Sequence, residues 1–184
     1  MINKETKIYC SFSSNPGNNG CIFFNSEFKE LNMNAIYKSF YSDDIKKSIG
    51  AVKSLDIKGF ALSMPFKIEA LDYVDEVEDS ARKIGSINTV VNKDGYLKGY
   101  NTDWVGVKKY FEIRRFDSIY IMGNGGFSKA VQYTCEVMGI GFEVITRENW
   151  NILEELEDKI IFNATPVDVN TDNFLIDGRP HTDA

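Results

Sequence analysis

The sequence predicts an α/β protein in two units, the second of which contains a parallel sheet. In the second half of the chain, β-prone and helix-prone segments alternate in the order strand, helix, strand, helix, strand. Such alternation is typical of parallel strands joined by helical crossovers. The first half mixes short β-prone runs, helical spacing and a hairpin signal, which indicates a separate α/β unit. A boundary near residues 103–106 gives predicted domains of residues 1–104 and 105–184.

In the first unit, β-prone runs predict strands at Ile8–Ser11, Ala35–Phe40, Gly59–Leu62, Ile87–Val91 and Tyr96–Tyr100. The intervening Asn92-Lys93-Asp94-Gly95 predicts a hairpin between the last two. A loop rich in Ser, Asn and Gly, residues 13–20, follows the first strand.

Helices of the first unit are predicted from apolar spacing and from start signals. Ile22, Phe24, Phe28 and Leu31 recur at helical spacing. Ser42-Asp43-Asp44 resembles an N-cap with acidic first-turn residues, and the following helix is expected to bury Ile45, Ile49, Val52 and Leu55. Pro65 lies where a third helix would begin, which would place Lys67 on its first turn.

In the second unit, a helix over Trp104–Ile113 leads into the alternating segments. The predicted strands are Ser118–Met122, Phe142–Thr146 and Lys159–Asn163, and the predicted helices are Ser128–Met138 and Trp150–Leu156. A cleft between two such α/β units is the expected ligand site, because ligands of these folds bind beyond the carboxyl ends of the strands.

Composition excludes several classes of function. The chain of 184 residues has a net charge of −6, which argues against a broad nucleic-acid or anionic-membrane surface. Cys10, Cys21 and Cys135 are widely spaced and His181 is the only histidine, so we expect neither a metal site nor a histidine-dependent triad. Reduced cysteines, the absence of an apolar leader and the absence of about 18 consecutive apolar residues fit a cytoplasmic protein.

A glycine-rich loop, Gly123-Asn124-Gly125-Gly126-Phe127-Ser128, follows a predicted strand and opens a helix. Glycines there permit a tight turn and a close approach of backbone N–H groups to a pyrophosphate, which the helix N-terminus also favours. The third glycine of the usual dinucleotide pattern is absent, because Ser128 and Lys129 precede Ala130. The motif predicts nucleotide binding, with an ordinary strand-to-helix turn as the alternative.

The residues after the next strand give conflicting signals about the cofactor. Arg147 would pair with the 2′-phosphate of NADP. Glu148 would accept from the free ribose hydroxyl of NAD and repel a phosphate. Either residue could also be a solvated loop charge. We expect NADP, with NAD as the alternative.

Lys67 and Asp103 are residue types suited to reducing a ketone. The alkoxide left by hydride addition needs a proton, which a lysine supplies while a nearby carboxylate holds and tunes it. Spacing alone does not bring the two together. The alternative is that Lys67 is a surface charge and that Asp103 is the N-cap of the Trp104 helix.

Taken in order, these motifs resemble those of the shikimate dehydrogenase family, and more closely its divergent shikimate dehydrogenase-like subgroup. The matching segments are Asn25-Ser26-Glu27-Phe28, Ser63-Met64-Pro65-Phe66-Lys67, Gly85-Ser86-Ile87-Asn88-Thr89, Asn101-Thr102-Asp103, Gly123–Ala130 and Asn163-Ala164-Thr165-Pro166. The resemblance covers nearly the whole chain up to Pro166.

The resemblance implies a substrate domain followed by a Rossmann-like NAD(P)-binding domain and the reversible oxidation of shikimate to 3-dehydroshikimate in aromatic amino acid biosynthesis. By that resemblance Lys67 and Asp103 are the catalytic pair, and Asn88, Asp103 and Ser63 hold substrate hydroxyls. Gly123 to Ser128, Arg147, Asn163 and Thr165 are the implied cofactor residues. The partner is then a small hydroxy acid, not a nucleic acid or a membrane, and the expected assembly is a monomer or a homodimer.

Three departures from the family pattern bear on this expectation. Asn18-Asn19-Gly20 replaces the Ser-x-Ser that grips the substrate carboxylate, so Ser13 is expected to do that work. Asp168 stands close to where the family keeps Gly-Met. The family also continues well beyond the last residue of this chain, so we expect either a fragment or a natural minimal version with a short second domain. A truncated sheet would leave an open edge of the kind that oligomerisation often covers, and catalysis is expected to be weak or lost. Quinate or a related hydroxy-acid dehydrogenase, and a non-catalytic nucleotide-binding relative, are the alternatives.

Overall fold

In the computed structural model the chain divides into two compact units, Met1–Asn101 and Thr102–Ala184. The structure describes residues 2–168 and 173–178, so His181 lies outside the described residues. Each unit has its own sheet and its own core, and the predicted α/β class is confirmed.

The first unit is built on a six-stranded mixed sheet in the order β2-β1-β3-β5-β6-β4. Its strands are β1 Lys7–Ser13, β2 Ala35–Tyr41, β3 Gly59–Leu62, β4 Glu76–Val77, β5 Thr89–Lys93 and β6 Tyr96–Tyr100. β1 pairs in parallel with both β2 and β3, whereas β5 runs antiparallel to β3 and β6. The strands β1, β2, β3 and β6 therefore all end at one edge of the sheet, where β5 begins. We call this edge the carboxyl edge of the first sheet.

Three helices and one 3₁₀ helix accompany this sheet: α1 Asn19–Glu30, α2 Ile45–Ser54, the 3₁₀ helix Glu69–Tyr73 and α3 Asp79–Ile84. Helix α2 begins at the N-cap Asp44, whose carboxylate accepts from Lys47 N–H at 2.9 Å. Ile45, Ile49 and Val52 of α2 are buried as predicted. The prediction for Leu55 is wrong: the helix ends at Ser54, and Leu55, the C-cap residue, is 65% exposed.

Helix α1 is held to the edge strand β2 by polar contacts and by the stacking of Phe24 on Tyr37, whose ring centroids are 4.6 Å apart. None of its residues is buried, and Ile22 is 69% exposed. The Asn25 amide accepts from Tyr37 N–H and donates to Tyr37 O, both at 2.9 Å. Cys21 Sγ accepts from Ser39 N–H at 3.2 Å. These side chains satisfy backbone groups that an uncovered edge strand would present to solvent.

The helix predicted to begin at Pro65 is wrong. Residues 64–68 form turns, the Met64–Pro65 peptide bond is cis, and the 3₁₀ helix starts only at Glu69. Phe66 N–H donates to Ser63 O at 2.9 Å, and the Phe66 side chain is only 3% exposed. The chain turns inward at this point to bury Phe66, which a regular helix starting at Pro65 does not achieve.

The hairpin is tighter than predicted. β5 continues through Asn92 and Lys93, so only Asp94 and Gly95, with φ of 53° and 89°, form the turn. Two consecutive left-handed residues are the signature of a two-residue hairpin loop. The fifth strand also begins two residues later than predicted, at Thr89.

The second unit contains the predicted strand–helix alternation in a four-stranded parallel sheet of order β10-β9-β7-β8. Its strands are β7 Ser118–Met122, β8 Gly141–Ile145, β9 Ile160–Asn163 and β10 Phe174–Asp177, and its helices are α4 Asp103–Ile113, α5 Gly126–Met138 and α6 Ile152–Glu155. Helix α5 starts two residues before the prediction, and α6 is a single turn rather than the predicted Trp150–Leu156. Strand β10 was not predicted.

The core of the second unit packs α4 and α5 against the sheet. Its buried side chains include Phe111, Ile121, Val131 and Phe162. Within the described residues, no helix has both the length and the hydropathy needed to cross a membrane.

Candidate functional site

Three predicted substrate residues of the first unit lie at the carboxyl edge of the first sheet. Ser13 is the last residue of β1, Ser63 follows β3, and Asn88 directly precedes β5. Backbone hydrogen bonds fix this arrangement: Ser63 N–H donates to Phe12 O at 3.0 Å, and Leu62 N–H donates to Asn88 O at 2.8 Å. The parallel and antiparallel pairings thus bring together residues that are up to 75 positions apart in the sequence (13 to 88).

Lys67 lies in the turn that follows Ser63, beside the same edge. Its carbonyl accepts from Ile87 N–H at 2.8 Å, which places the Lys67 backbone next to the segment that ends in Asn88. The Lys67 side chain is partly buried. Backbone hydrogen bonds thus place the turn that contains Ser63 and Lys67 beside the segment that ends in Asn88.

The Asn88 side chain is oriented by its neighbour. Thr89 Oγ1 donates to Asn88 Oδ1 at 3.0 Å. Asn88 N–H donates to Tyr100 O at 2.9 Å, so the residue is attached to β6 as well as to β3.

The Asn101-Thr102-Asp103 motif spans the junction of the two units. Asn101 is 3% exposed, and its amide donates to both the carbonyl and the hydroxyl oxygen of Ser86 at 3.0 Å. Thr102 is the N-cap of α4 and Asp103 is the first helical residue, so the alternative that Asp103 is the N-cap is wrong. Asp103 belongs to the second unit and Lys67 to the first.

In the second unit, the glycine loop connects the carboxyl end of β7 to the first turn of α5. Gly123 has φ of +96°, a left-handed conformation that glycine adopts at little cost. Gly125 is the N-cap of α5, and a Cβ built on it would meet no atom within 4 Å. The first helical hydrogen bond is donated by Lys129 N–H to Gly125 O at 3.0 Å. The positive end of the α5 dipole therefore faces the open space in front of this loop.

Side chains from α5 hold the glycine loop in place. Ser128, which is fully buried, donates from its hydroxyl to Gly123 O at 2.6 Å. Gln132, one turn later, donates to Ser128 Oγ at 3.0 Å and to Asn124 Oδ1 at 3.3 Å. Phe127 packs against the core aromatic Phe162. Gln132 was missed at the sequence level, although its i,i+4 spacing from Ser128 is a usable signal.

Asn163 and Thr165 form a closed turn at the carboxyl end of β9. Asn163 is fully buried, and its Oδ1 accepts from Thr165 N–H at 3.0 Å and from Thr165 Oγ1 at 2.7 Å. Its Nδ2 donates to Val167 O at 2.9 Å. Asp168 is exposed and follows this turn. Both the oxygen and the nitrogen of the Asn163 amide are therefore hydrogen-bonded inside the turn, and Asn163 shapes it. Thr165, in the same turn, lies beside Gly123.

Arg147 and Glu148 protrude from a turn after β8. Asn149 closes that turn: its Oδ1 accepts from Thr146 N–H at 2.6 Å, and its Nδ2 donates to Val144 O at 3.1 Å. Both charged side chains are exposed. Asn149 was not predicted, and its position three residues after Thr146 is the signal that identifies it.

The buried thiols are not poised as nucleophiles. Burial raises the pKa of Cys10 to about 12 and that of Cys135 to about 12. Among the residues that the structure describes, no group of three or more His, Cys, Asp or Glu side chains could hold a metal ion.

The sequence and the fold resemble those of known proteins. Residues 20–90 match the family described as shikimate dehydrogenase substrate binding domain. The chain is 35% identical to a shikimate dehydrogenase (NADP(+)) of Pyrococcus furiosus, with 96% of this chain and 73% of that protein covered. It is 41% identical to a shikimate dehydrogenase-like protein of Haemophilus influenzae over 71% of this chain. The chain spans about half the length of that Haemophilus protein, since the match covers 49% of it.

Solved structures agree in fold. A shikimate 5-dehydrogenase-like protein superposes with a TM-score of 0.76 at 34% identity, covering 90% of this chain and 68% of that one. The shikimate dehydrogenase of Aquifex aeolicus gives a TM-score of 0.75 at 29% identity over 91% of this chain and 71% of its own. The glycine loop, the turn that carries Lys67 and these likenesses over nearly the whole chain lead to one conclusion. The chain belongs to the shikimate dehydrogenase family.

Proposed function

We propose that this chain is an NADP-dependent dehydrogenase that reversibly reduces 3-dehydroshikimate to shikimate in aromatic amino acid biosynthesis. The observation that carries the proposal is the convergence of Ser63, Lys67 and Asn88 on one sheet edge by backbone hydrogen bonds. A domain that only bound a nucleotide would not require these three polar residues at that edge. The relatives that bear the name shikimate dehydrogenase (NADP(+)) support the same substrate and cofactor.

In this proposal Lys67 and Asp103 are the catalytic pair. Lys67 delivers a proton to the substrate oxygen in the reducing direction and removes it in the oxidising direction. Asp103 holds the resulting hydroxyl group. Asn88 and Ser63 bind the remaining hydroxyl groups, which gives the hydroxylated ring of the substrate a single orientation. The partly buried position of Lys67 limits the water that competes for its proton.

The glycine loop fits a dinucleotide. Gly123 is held against Thr165, Gly125 leaves open space before the helix, and α5 supplies the favourable field, so the loop can receive a pyrophosphate at Gly123 to Ser128. Arg147 would pair with the 2′-phosphate of NADP, and Thr165 would border the nicotinamide end. When bound, the nicotinamide accepts or supplies the hydride.

One departure from the family pattern bears on the substrate. Asn18-Asn19-Gly20 stands in place of the family's carboxylate-binding serines. The departure concerns the acid group that shikimate and quinate share, so quinate or a related hydroxy acid stays the alternative substrate. If the chain turns over none of these substrates, the alternative is that it binds a nucleotide without catalysing a reaction.

Absorbance at 340 nm tests the proposal. The chain is incubated with shikimate and, separately, with quinate, each with NADP and then with NAD. We expect the largest kcat/KM for shikimate with NADP. Turnover of quinate alone would change the substrate, and no turnover by a chain that is folded and binds NADP would contradict the assignment as an enzyme.

A further inference from the structure

The Met64 carbonyl is one of the points at which the end of strand β1 is attached to the turn that carries Lys67, and Ser63 N–H, which donates to Phe12 O at 3.0 Å, is another. The Met64 carbonyl accepts from Ser14 N–H at 3.3 Å, from the Ser13 hydroxyl at 3.3 Å and from the Ser14 hydroxyl at 3.4 Å. These distances are long for hydroxyl donors, so each contact is weak by itself. Their convergence on one carbonyl joins the end of β1 to residues 63–67, which we call the lysine turn.

The Ser13 hydroxyl is already occupied by protein partners in both of its roles. Asn15 N–H donates to Ser13 Oγ at 3.1 Å, and that acceptance directs the hydroxyl proton toward Met64 O. Ser13 is 7% exposed. A hydroxyl that binds a substrate carboxylate has to donate its proton to that carboxylate, whereas in this structure the Ser13 hydroxyl donates to Met64 O.

The lysine turn is fixed at its other end as well. Phe66 N–H donates to Ser63 O within the turn, and Lys67 O accepts from Ile87 N–H. The Phe66 side chain is anchored in the core at 3% exposure. Ser13 is thus one of a small set of contacts that determine where the Lys67 backbone lies.

We propose that Ser13 is a positioning residue for Lys67 and not a ligand of the substrate carboxylate. This inference rests on the proposed function, because it assigns a role within the same site. Removal of the Ser13 hydroxyl loosens the lysine turn, so proton transfer slows while the groups that bind the substrate stay in place.

The experiment compares Ser13→Ala and Ser13→Thr with the control Ser11→Ala. Ser11 lies on the same strand and its hydroxyl bonds to Ser39, at 3.1 Å, instead of to the lysine turn. For Ser13→Ala we expect kcat for shikimate to fall by about 10- to 100-fold. KM should change by less than about twofold, because the groups that bind the substrate itself stay in place. Ser13→Thr, which keeps the hydroxyl, should recover most of the loss.

A deuterium isotope effect separates positioning from loss of folded protein. With the reaction run in D2O and in H2O, the solvent isotope effect on kcat should rise in Ser13→Ala, because the proton transfer becomes more fully rate-limiting. A smaller folded fraction would lower kcat and leave the isotope effect unchanged, which would overturn the proposal. A KM raised by about tenfold or more with kcat retained would also overturn it, since Ser13 would then be a substrate ligand.

Amide hydrogen exchange tests the same inference without turnover. Phe66 N–H, which closes the lysine turn, should exchange faster in Ser13→Ala than in Ser11→Ala. Equal exchange in the two variants would overturn the positioning role. If the wild-type chain shows no turnover but the exchange difference is present, the proposed function fails while the structural coupling holds.

Discussion

Gly123 and Thr165 pack so closely that a Cβ on Gly123 would lie 2.8 Å from Thr165 Cγ2. The first residue belongs to the loop after β7, the second to the turn after β9, and the two strands are neighbours in the parallel sheet. The glycine loop and the turn formed by Asn163 and Thr165 are therefore packed against each other, and a change in either should affect the other.

Gly123→Ala should weaken NADP binding by at least about tenfold and destabilise the second unit by about 1–3 kcal/mol. The added methyl group is strained at φ of +96° and clashes with Thr165. Calorimetric titration with NADP and urea unfolding measure the two effects.

Gly106→Ala is the matched control for that substitution. Gly106 lies in helix α4, and a Cβ there meets no atom within 4 Å. It should stabilise the protein by about 0.5–1 kcal/mol and leave the NADP affinity unchanged. Unchanged NADP affinity in Gly123→Ala would show that the loop does not hold the cofactor.

Asn163→Ala should destabilise the protein by about 2–3 kcal/mol. It removes an amide that is fully buried and leaves the Thr165 N–H and the Val167 carbonyl without their partner. The NADP affinity should fall with stability, because Thr165 is no longer held beside Gly123. Equal stability of wild type and Asn163→Ala would contradict this account.

Arg147→Gln should raise the dissociation constant of NADP by about 10- to 100-fold, as expected for a lost charge-assisted hydrogen bond. The affinity for NAD, which has no 2′-phosphate, should change little. Glu148→Gln is the opposing control, since removal of an adjacent negative charge should tighten NADP binding. If Arg147→Gln weakens both cofactors equally, the residue does not recognise the 2′-phosphate.

The stability of the first unit should depend on pH through Asp75. Leu97 N–H donates to Asp75 Oδ2 at 2.7 Å and Lys53 lies 3.1 Å from the same oxygen, which lowers the pKa of this carboxyl below its ordinary value. The stabilisation is therefore present above the pKa of the unfolded chain and is lost as the pH falls through the lower pKa of the folded state.

Asp75→Asn should cost about 1 kcal/mol at pH 7, a modest value because the carboxyl is partly exposed. The difference from wild type should shrink at pH 3, where the unfolded wild-type carboxyl is largely protonated. Urea unfolding at the two pH values measures this. The same difference at both would contradict the assignment.

Hydrophobic periodicity, together with turn-forming and helix-capping residues, was sufficient to predict most of the helices and strands. The alternation from Ser118 to Asn163 predicted the parallel second sheet, and Asp94-Gly95 marked the hairpin. Failures occurred where tertiary contacts override local pattern. Turns with a buried Phe66 stand where a helix was predicted after Pro65, and α2 ends at Ser54, which leaves Leu55 exposed.

The candidate site was predicted in outline because its residues occur as motifs at strand ends. Their hydrogen-bonding roles were not predictable, since these depend on contacts distant in sequence. The hydrogen bond from Ser13 to the Met64 carbonyl and the packing of the Thr165 methyl group on Gly123 cannot be inferred from composition or residue spacing. The Asn101 amide on Ser86 is a further example, with both residues inside recognised motifs and their contact visible only in the fold.

The most direct test of the account is the turnover of Lys67→Met beside that of Lys83→Met. Lys83 is an exposed residue of α3 and serves as the matched loss of one lysine charge. With shikimate and NADP at 340 nm, we expect Lys67→Met to lose about 10²- to 10⁴-fold in kcat while shikimate still binds, and Lys83→Met to match wild type. Retention of wild-type turnover by Lys67→Met would contradict the central claim that Lys67 transfers the proton.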